Sequence, residues 1–195
     1  MIKIGFLASH NGSAARAITE ACRSGKLKGA ATILVTNNAK AGALEWAKDM
    51  GLKTAVINSS NTQDVDKTIA DMFLDNYVGL VVCSGYMKLI GPKTIASVKG
   101  DILNVHPALL PKYGGKGMYG KYVHQAVFRA KDAETGITIH LVDSEYDRGR
   151  IIAQKVINVS SDDSMEMIEE KVKAAEPDFY IQTLQKILSG ELSLK

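Results

Sequence analysis

Short apolar runs alternate with segments of helical periodicity along most of the chain, and this alternation constrains the fold more than any other feature. The predicted strands are Ile2–Ala8, Ala31–Thr36, Thr54–Ile57, Gly79–Ser84 and Asp101–Val105, and the predicted helices are Ala14–Ser24, Gly42–Met50, Asp64–Asn76, Pro92–Val98 and Tyr122–Lys131. Strands and helices in alternation are typical of a parallel sheet with helices on both faces. The continuous apolar character of Gly79–Ser84 indicates a strand that is buried on both sides.

The C-terminal part of the chain departs from this alternation. Ile137–Val142 and Ile151–Val159 are predicted strands joined only by the polar segment Asp143–Gly149. Because a parallel crossover needs about a dozen residues or more, this short connection predicts an antiparallel pair. Ser164 is predicted to cap a final helix, with a kink at Pro177. We therefore predict a single α/β domain over residues 1–195: a doubly wound, Rossmann-like, mostly parallel sheet with an antiparallel strand near the C-terminus.

The composition excludes several classes of function. With 24 basic and 21 acidic residues the net charge is +3, which is too small an excess to predict binding of nucleic acid. No apolar stretch approaches the roughly 20 residues that span a membrane, and the N-terminus lacks a signal-peptide pattern, so we expect a cytoplasmic protein without a membrane partner. Cys22 and Cys83 are predicted to be reduced core thiols. The four histidines lack the spacing of a zinc site, so no metal is expected.

A polar segment, Ser9–Ser13, follows the first predicted strand and opens the first helix. Ligands of open α/β sheets bind beyond the carboxyl ends of the strands. N–H groups at a helix start, together with a glycine and a hydroxyl, suit a phosphate. The segment is neither G-x-G-x-x-G nor a Walker A motif, and the alternative is an ordinary helix N-cap without a ligand.

A second loop, Gly85–Pro92, follows the predicted strand Gly79–Ser84. Its two glycines and its proline enclose an apolar stretch that could line a pocket for a flat ring. The alternative is an ordinary connection between a strand and a helix, and the composition alone favours it.

Asn104 and His106 lie two positions apart at the end of the strand Asp101–Val105. Residues two apart on a strand share one face, so both side chains can point to the same place. An amide donor beside an imidazole N–H is what a developing oxyanion needs. A histidine at a strand end could instead cap the backbone, but its pairing with Asn104 favours a function.

Asp147 lies two residues before Gly149 in the predicted turn between the last two strands. It could simply form an Asx-type turn. The functional alternative is a carboxylate that accepts or relays a proton and holds the imidazole of His106 charged. Covalent catalysis is not expected, because the sequence contains no G-x-S-x-G nucleophile motif.

Four segments, in order along the chain, resemble the folate-dependent formyltransferases: SHNGS, GYMKLIGP, ILNVHPALLPKYGGKGMYG and GITIHLVDSEYDRGRIIAQ. The resemblance covers nearly the whole chain, and Asn-x-His-Pro with the later Asp-x-Gly is its most specific part. The segment Gly-Lys-Gly-Met-Tyr-Gly resembles the members of this family that act in purine synthesis. The resemblance implies direct transfer of a formyl group from 10-formyltetrahydrofolate to the amine of glycinamide ribonucleotide, without a metal. These two small molecules are the expected partners of a monomer or homodimer.

The resemblance also assigns roles to residues. Asn104 and His106 match positions that bind the oxyanion, and Asp147 matches a carboxylate that assists His106 and moves protons through water. The nucleotide would be bound by Asn11, Gly12, Ser13, Met87 and Glu176, and the folate by Met87, Lys88, Leu89, Ile90, Asn104, Val142, Asp143, Ser144, Glu145, Tyr146 and Asp147. Residues 1–100 would form the nucleotide-binding half, and residues 101–195 the catalytic and folate-binding half. Ala14, Lys88 and Pro177 depart from common choices in the family.

The sequence is compatible with other activities. A sugar-amine N-formyltransferase or a formyltetrahydrofolate hydrolase would use the same Asn104, His106 and Asp147, and methionyl-tRNA formyltransferase would carry an added C-terminal domain for RNA. A non-catalytic nucleotide-binding module of Rossmann type would explain the sheet and the Ser9–Ser13 segment. It would give no reason for an amide, an imidazole and a carboxylate to converge.

Overall fold

The computed structural model describes residues 1–99 and 101–195. The strands are β1 (Ile2–Ala8), β2 (Gly29–Thr36), β3 (Lys53–Val56), β4 (Leu80–Cys83), β5 (Ile102–His106), β6 (Glu134–Leu141) and β7 (Ile151–Asn158). The helices are α1 (Ser13–Arg23), α2 (Ala43–Asp49), α3 (Val65–Asp75), α4 (Pro92–Ser97), α5 (Lys121–Ala130) and α6 (Met165–Ser189). Residue 100, at which the predicted boundary between the two halves falls, lies outside the described residues, and the division stays a prediction.

The strands form one sheet in the order β3-β2-β1-β4-β5-β6-β7. Strands β1 to β5 pair in parallel, whereas β6 pairs antiparallel with both β5 and β7. The predicted mostly parallel α/β fold is therefore confirmed, including the antiparallel pair that the short connection indicated.

Apolar side chains of β1 alternate between two cores, one on each face of the sheet. Phe6 lies in the core formed with α1, α2 and α6, and Leu7 lies in the core formed with α3 and α4. Both faces of the central strands are thus covered, which explains their uninterrupted apolar sequences.

The last helix begins where the sequence predicts. Ser164 Oγ accepts a hydrogen bond from the N–H of Met167 at 3.3 Å, which confirms the cap. The helix continues through Pro177 to Ser189, so the proline does not end it, and the predicted kink stays a prediction. Gly190 follows with a φ of 83°, the left-handed conformation that commonly ends a helix.

The two cysteines are free, as expected, with Cys83 buried and Cys22 half-buried. Burial raises the pKa of Cys83 to about 12, so this thiol is not a nucleophile at neutral pH. Within residues 1–99 and 101–195, no helix combines the length and the apolar character needed to cross a membrane.

Candidate active site

The carboxyl ends of β1 and β4 form a crevice in the middle of the sheet. From β1 the chain continues to β2 on one side, whereas β4 pairs with β1 on the other side. The strand order therefore reverses between β1 and β4. Ligands of open α/β sheets bind at such a switch point. The β1 loop (Ser9–Ser13) and the β4 loop (Gly85–Pro92) both open onto this crevice.

The β1 loop has the backbone geometry of an anion site. Gly12 has a φ of 62°, which glycine adopts without strain. The N-cap residue Gly12 has no side chain that could cap α1, and the first turn of a helix carries N–H groups without intrahelical partners. The N–H of Ala15 is bound by Ser84 Oγ at 3.1 Å, whereas Asn11 and Ser13 are exposed. This arrangement favours the phosphate interpretation over an ordinary N-cap.

The start of α2 packs against the β1 loop. Trp46 Nε1–H donates to the carbonyl oxygen of Asn11 at 2.8 Å, and the N–H of Ala43 donates to the carbonyl of His10 at 3.1 Å. A Cβ atom on Gly42 would lie 2.6 Å from Asn11 Oδ1, so a larger residue there would displace the Asn11 side chain. A cleft of about 530 Å³ opens beside Asn11 and Trp46. The loop is therefore held in place by its neighbours before any ligand binds.

The β4 loop is tied to the β1 loop by a side chain. Ser9 Oγ accepts a hydrogen bond from the N–H of Met87 at 2.9 Å. Of the predicted binding residues in the β4 loop, Met87, Lys88 and Leu89 are exposed and Ile90 is buried. Exposed apolar side chains beside the crevice fit a pocket for a flat ring better than an ordinary connection.

Asn104 and His106 lie inside β5, as its third and last residues, rather than beyond its end. The antiparallel register places His140 of β6 opposite Asn104, and Asn104 Nδ2 lies 3.2 Å from His140 Nε2. His140 Nδ1 lies 2.8 Å from the carbonyl oxygen of Leu141. A neutral His140 therefore carries its hydrogen on Nδ1 and accepts from Asn104 through Nε2. This bond orients the Asn104 amide and uses one of its two N–H groups.

Asp147 brings a carboxylate to this pair. Its Oδ2 lies 3.5 Å from His106 Nδ1, and its Oδ1 lies 3.5 Å from His140 Nε2. The N–H of Gly115 donates to Asp147 Oδ2 at 3.0 Å. The side chains of His106 and Asp147 are only 4% and 10% exposed, so little water weakens these interactions. The structure thus brings together Asn104, His106 and Asp147.

The second ring nitrogen of His106 is already occupied. His106 Nε2 lies 2.7 Å from the backbone carbonyl oxygen of Tyr113. A carbonyl oxygen only accepts hydrogen bonds, so Nε2 carries a hydrogen. In a neutral ring, Nδ1 then has a free lone pair, and it is the nitrogen that faces Asp147.

Burial and charge act on this pair in opposite directions. Burial lowers the pKa of His106, and the attraction of Asp147 only partly offsets this effect. Burial also raises the pKa of Asp147, but its interactions with His140, His106 and the N–H of Gly115 outweigh that effect, so the pKa of Asp147 is lowered. The carbonyl of Tyr113 and the carboxylate of Asp147 place an acceptor beside each ring nitrogen of His106, an arrangement that suits a protonated ring. That Asp147 holds His106 charged stays a prediction.

The carboxylate of Asp147 does not form an Asx-type turn, since it accepts from Gly115. Asp143 has that local role, because its Oδ1 accepts the N–H of Glu145 at 2.9 Å. Of the other predicted folate-binding residues in this segment, Val142 is half-buried, as is Asp143, and Ser144, Glu145 and Tyr146 are exposed. A Cβ on Gly149 would lie 1.9 Å from the carbonyl oxygen of Leu141, which explains the glycine of the motif.

Glu176 is half-buried on α6, one turn before the fully buried Tyr180. Burial raises its pKa to about 7, with a small opposing effect of Lys173. Among the described residues, no hydrogen bond or ion pair joins Glu176 to His106 or Asp147. The structure does not bring Glu176 into contact with the catalytic group, and its contact with the nucleotide stays a prediction.

Three residues that contact the catalytic group were missed at the level of sequence. His140 could have been found, because it is a polar residue in an otherwise buried strand that pairs with β5. Tyr113 and Gly115 act through backbone atoms, and no side-chain pattern signals such a contact. In the part of the chain that the structure describes, no group of three or more His, Cys, Asp or Glu residues could hold a metal ion.

The fold and this site define a class of protein. The family model described as formyl transferase matches residues 2–184, so the chain belongs to the formyl transferase family. Within that family, the chain is 35% identical over 189 residues to the chloroplastic phosphoribosylglycinamide formyltransferase of Arabidopsis thaliana. That match covers 95% of this chain, which spans 65% of the length of the Arabidopsis protein.

Two further matches extend over most of both chains. The phosphoribosylglycinamide formyltransferase of Haemophilus influenzae is 35% identical over 198 residues, covering 100% of this chain and 91% of that protein. The crystal structure of glycinamide ribonucleotide transformylase 1 from Symbiobacterium toebii is similar with a TM-score of 0.90 and 27% identity. It covers 100% of this chain and 91% of the other.

Proposed function

We propose that this protein transfers the formyl group of 10-formyltetrahydrofolate to the amine of glycinamide ribonucleotide. The products are formylglycinamide ribonucleotide and tetrahydrofolate, in the de novo synthesis of purines. One observation carries the proposal: Asn104, His106 and Asp147 lie together beside the switch point, in a chain of the formyl transferase family. Both substrates are small molecules, and a cytoplasmic monomer or homodimer is part of the proposal.

The chemistry needs no nucleophilic side chain. The free amine attacks the formyl carbon, and the carbonyl oxygen becomes an oxyanion that receives hydrogen bonds from Asn104 and from the Nδ1–H of a protonated His106. The proton released by the amine passes through water to the carboxylate of Asp147. The charge of the imidazolium is stabilised by Asp147 Oδ2, 3.5 Å from His106 Nδ1. A proton then passes to the folate nitrogen as the bond between carbon and nitrogen breaks, so no net proton is taken up.

The two loops at the switch point supply orientation. The β1 loop would bind the phosphate of the nucleotide through Asn11, Gly12 and Ser13. Met87 would lie between the two substrates, because its N–H is tied to the β1 loop by Ser9 Oγ. Holding two substrates in reacting positions can contribute about 7–11 kcal/mol to catalysis. The remaining folate contacts would come from Lys88, Leu89 and Ile90 and from the segment Val142–Asp147.

The rival activities share this catalytic group. A sugar-amine N-formyltransferase would present a different amine, and a formyltetrahydrofolate hydrolase would present water. The similarity to proteins named for glycinamide ribonucleotide favours the purine substrate over both. A phosphate loop built from backbone N–H groups argues against water as the acceptor.

A direct assay separates these possibilities. Purified protein is incubated with 10-formyltetrahydrofolate and one of three acceptors: glycinamide ribonucleotide, a nucleotide-linked amino sugar, or water alone. We expect tetrahydrofolate to form rapidly only with glycinamide ribonucleotide, and not with the variant His106→Ala. Turnover with the sugar or with water alone, and none with the ribonucleotide, would overturn the proposal.

A further inference from the structure

One buried hydroxyl joins three segments at the carboxyl edge of the sheet. Ser9, in the β1 loop, is only 3% exposed. Its Oγ accepts the N–H of Met87 in the β4 loop at 2.9 Å. The same Oγ donates at 2.5 Å to Oδ1 of Asn37, which directly follows β2. The segments that follow β1, β2 and β4 therefore meet at a single side chain.

The direction of each hydrogen bond follows from the groups that make it. The backbone N–H of Met87 can only donate, so Ser9 Oγ is the acceptor of that bond. A separation of 2.5 Å suits an O–H···O bond and is too short for a typical N–H···O bond, so the amide of Asn37 presents its oxygen to Ser9. Ser9 thus points its hydrogen at Asn37 and a lone pair at Met87. Without an acceptor at position 37, the hydroxyl is free to rotate away from this orientation.

Neighbouring hydrogen bonds hold Asn37 and Ser9 in place. Asn58 Nδ2, beyond β3, donates to the carbonyl oxygen of Asn37 at 3.0 Å. Asn38 Nδ2 donates to the carbonyl oxygen of Ser9 at 3.0 Å, and the N–H of Ser9 donates to the carbonyl of Gly85 at 3.2 Å. Asn37 is therefore supported from the β3 side of the sheet and can act as a fixed acceptor for Ser9.

The middle of the β4 loop has less support from packing. The side chains of Met87 and Leu89 are 38% and 53% exposed, and Lys88 between them is exposed as well. Ile90 is the next residue of this loop that is buried, in the core formed with α3 and α4. The bond to Ser9 is thus the polar contact that fixes the backbone of Met87.

We propose that Asn37 is a positioning residue that fixes Met87 through the hydroxyl of Ser9. The inference rests on the proposed function, in which Met87 lies between the ribonucleotide and the folate. By orienting Ser9, Asn37 holds the β4 loop against the β1 loop, so that both binding surfaces are in place before a substrate arrives. Asn37 contacts neither substrate in this role and acts only through Ser9.

The bond to Met87 can be measured without any turnover. In ¹⁵N-labelled protein, the rate at which the Met87 amide hydrogen exchanges with water reports how firmly Ser9 holds it. Asn37→Leu has a similar size and no acceptor, and we expect it to accelerate this exchange about fivefold or more. Asn37→Asp keeps an acceptor oxygen and should retain the slow exchange of the wild type.

Kinetics supplies the second readout. Loss of one oriented hydrogen bond should raise KM for both substrates about fivefold in Asn37→Leu, because Met87 is shared between them. The value of kcat should stay within about twofold, since the catalytic group on β5 and β6 is untouched. In a Ser9→Ala background, Asn37→Leu should change neither KM nor the Met87 exchange any further, because the partner through which it acts is already absent.

Asn76→Leu is the matched control. Asn76 is also half-buried, and its Nδ2 donates to the carbonyl of Met72 at 2.7 Å, but it lies at the C-terminus of α3. This variant should leave KM and the Met87 exchange unchanged. Wild-type exchange in Asn37→Leu would overturn the inference, as would an effect of Asn37→Leu that persists in full in the Ser9→Ala background. Accelerated exchange that needs Ser9, in a protein that transfers no formyl group, would instead overturn only the proposed function.

Discussion

The two sides of the crevice are built from different chemical parts. On the β1 side, the candidate anion site consists of backbone N–H groups, and glycines allow neighbouring segments to approach. On the β5–β6 side, the site consists of buried side chains fixed by hydrogen bonds: His140 lies between Asn104 and Asp147, and Asp147 lies beside His106. A backbone site is sensitive to added atoms, whereas a side-chain site is sensitive to lost functional groups.

The largest effect is expected on the side-chain site. Asp147→Asn removes the charge that stabilises the imidazolium, so kcat should fall roughly 10²-fold to 10⁴-fold. The affinity for folate should change little, because the amide keeps the shape of the carboxylate. Steady-state rates of tetrahydrofolate formation and fluorescence titration with folate measure the two quantities. Wild-type kcat in Asp147→Asn would remove Asp147 from the mechanism.

The pH profile of the same variant sharpens this comparison. Because a protonated His106 donates to the oxyanion, activity of the wild type should fall as pH rises through the pKa of His106. Asp147 raises the pKa of His106 against the effect of burial, together with the Tyr113 carbonyl. Removing this carboxylate should therefore move the alkaline limb of the remaining activity to lower pH. A shift to higher pH would contradict the assigned charge states.

The sequence predicted the β1 side more completely than the β5–β6 side. Apolar runs and glycines mark where β1 ends and α1 begins, and a backbone site follows from those boundaries alone. The antiparallel pair β6–β7 was also predictable, because a connection as short as Asp143–Gly149 allows little else.

The contacts around His106 could not be predicted in the same way. Its pKa depends on burial by distant segments, which a local sequence pattern does not contain. The carbonyl of Tyr113 and the N–H of Gly115 are backbone atoms, which every residue has, so residue type carries no signal. The polar character of His140 in a buried strand could be recognised from the sequence, but its contact with Asn104 follows only from the register between β5 and β6.

On the backbone side, a smaller effect is expected from Gly12→Ala. The left-handed φ of 62° costs a non-glycine residue about 1–2 kcal/mol, and the added Cβ would lie 3.2 Å from the Cβ of Ala43. We expect KM for the ribonucleotide to rise about tenfold or more, with kcat within about twofold, because the catalytic group is untouched. Initial rates over a range of ribonucleotide concentrations measure both.

Gly25→Ala is the matched control for that substitution. Gly25 follows the C-terminus of α1 with a φ of 76°, and a Cβ there meets no atom within 4 Å. Both variants carry similar backbone strain, and Gly12→Ala adds the close contact with Ala43, so heat stability should fall in both and more in Gly12→Ala. Only Gly12→Ala should change KM. An equal change in both variants would show that the β1 loop has no special role in binding the nucleotide.

The smallest effect tests whether the β1 loop depends on support from α2. Trp46→Phe keeps an aromatic ring and removes the N–H that donates to the Asn11 carbonyl at 2.8 Å. A single hydrogen bond contributes about 1 kcal/mol net, so KM for the ribonucleotide should rise about fivefold at most, with kcat unchanged. Trp46 is also the single tryptophan of the chain, so its fluorescence in the wild type should change when the ribonucleotide binds and not when folate alone binds. A response to folate alone would place the β1 loop on the wrong side of the crevice and reverse the comparison between the two sides.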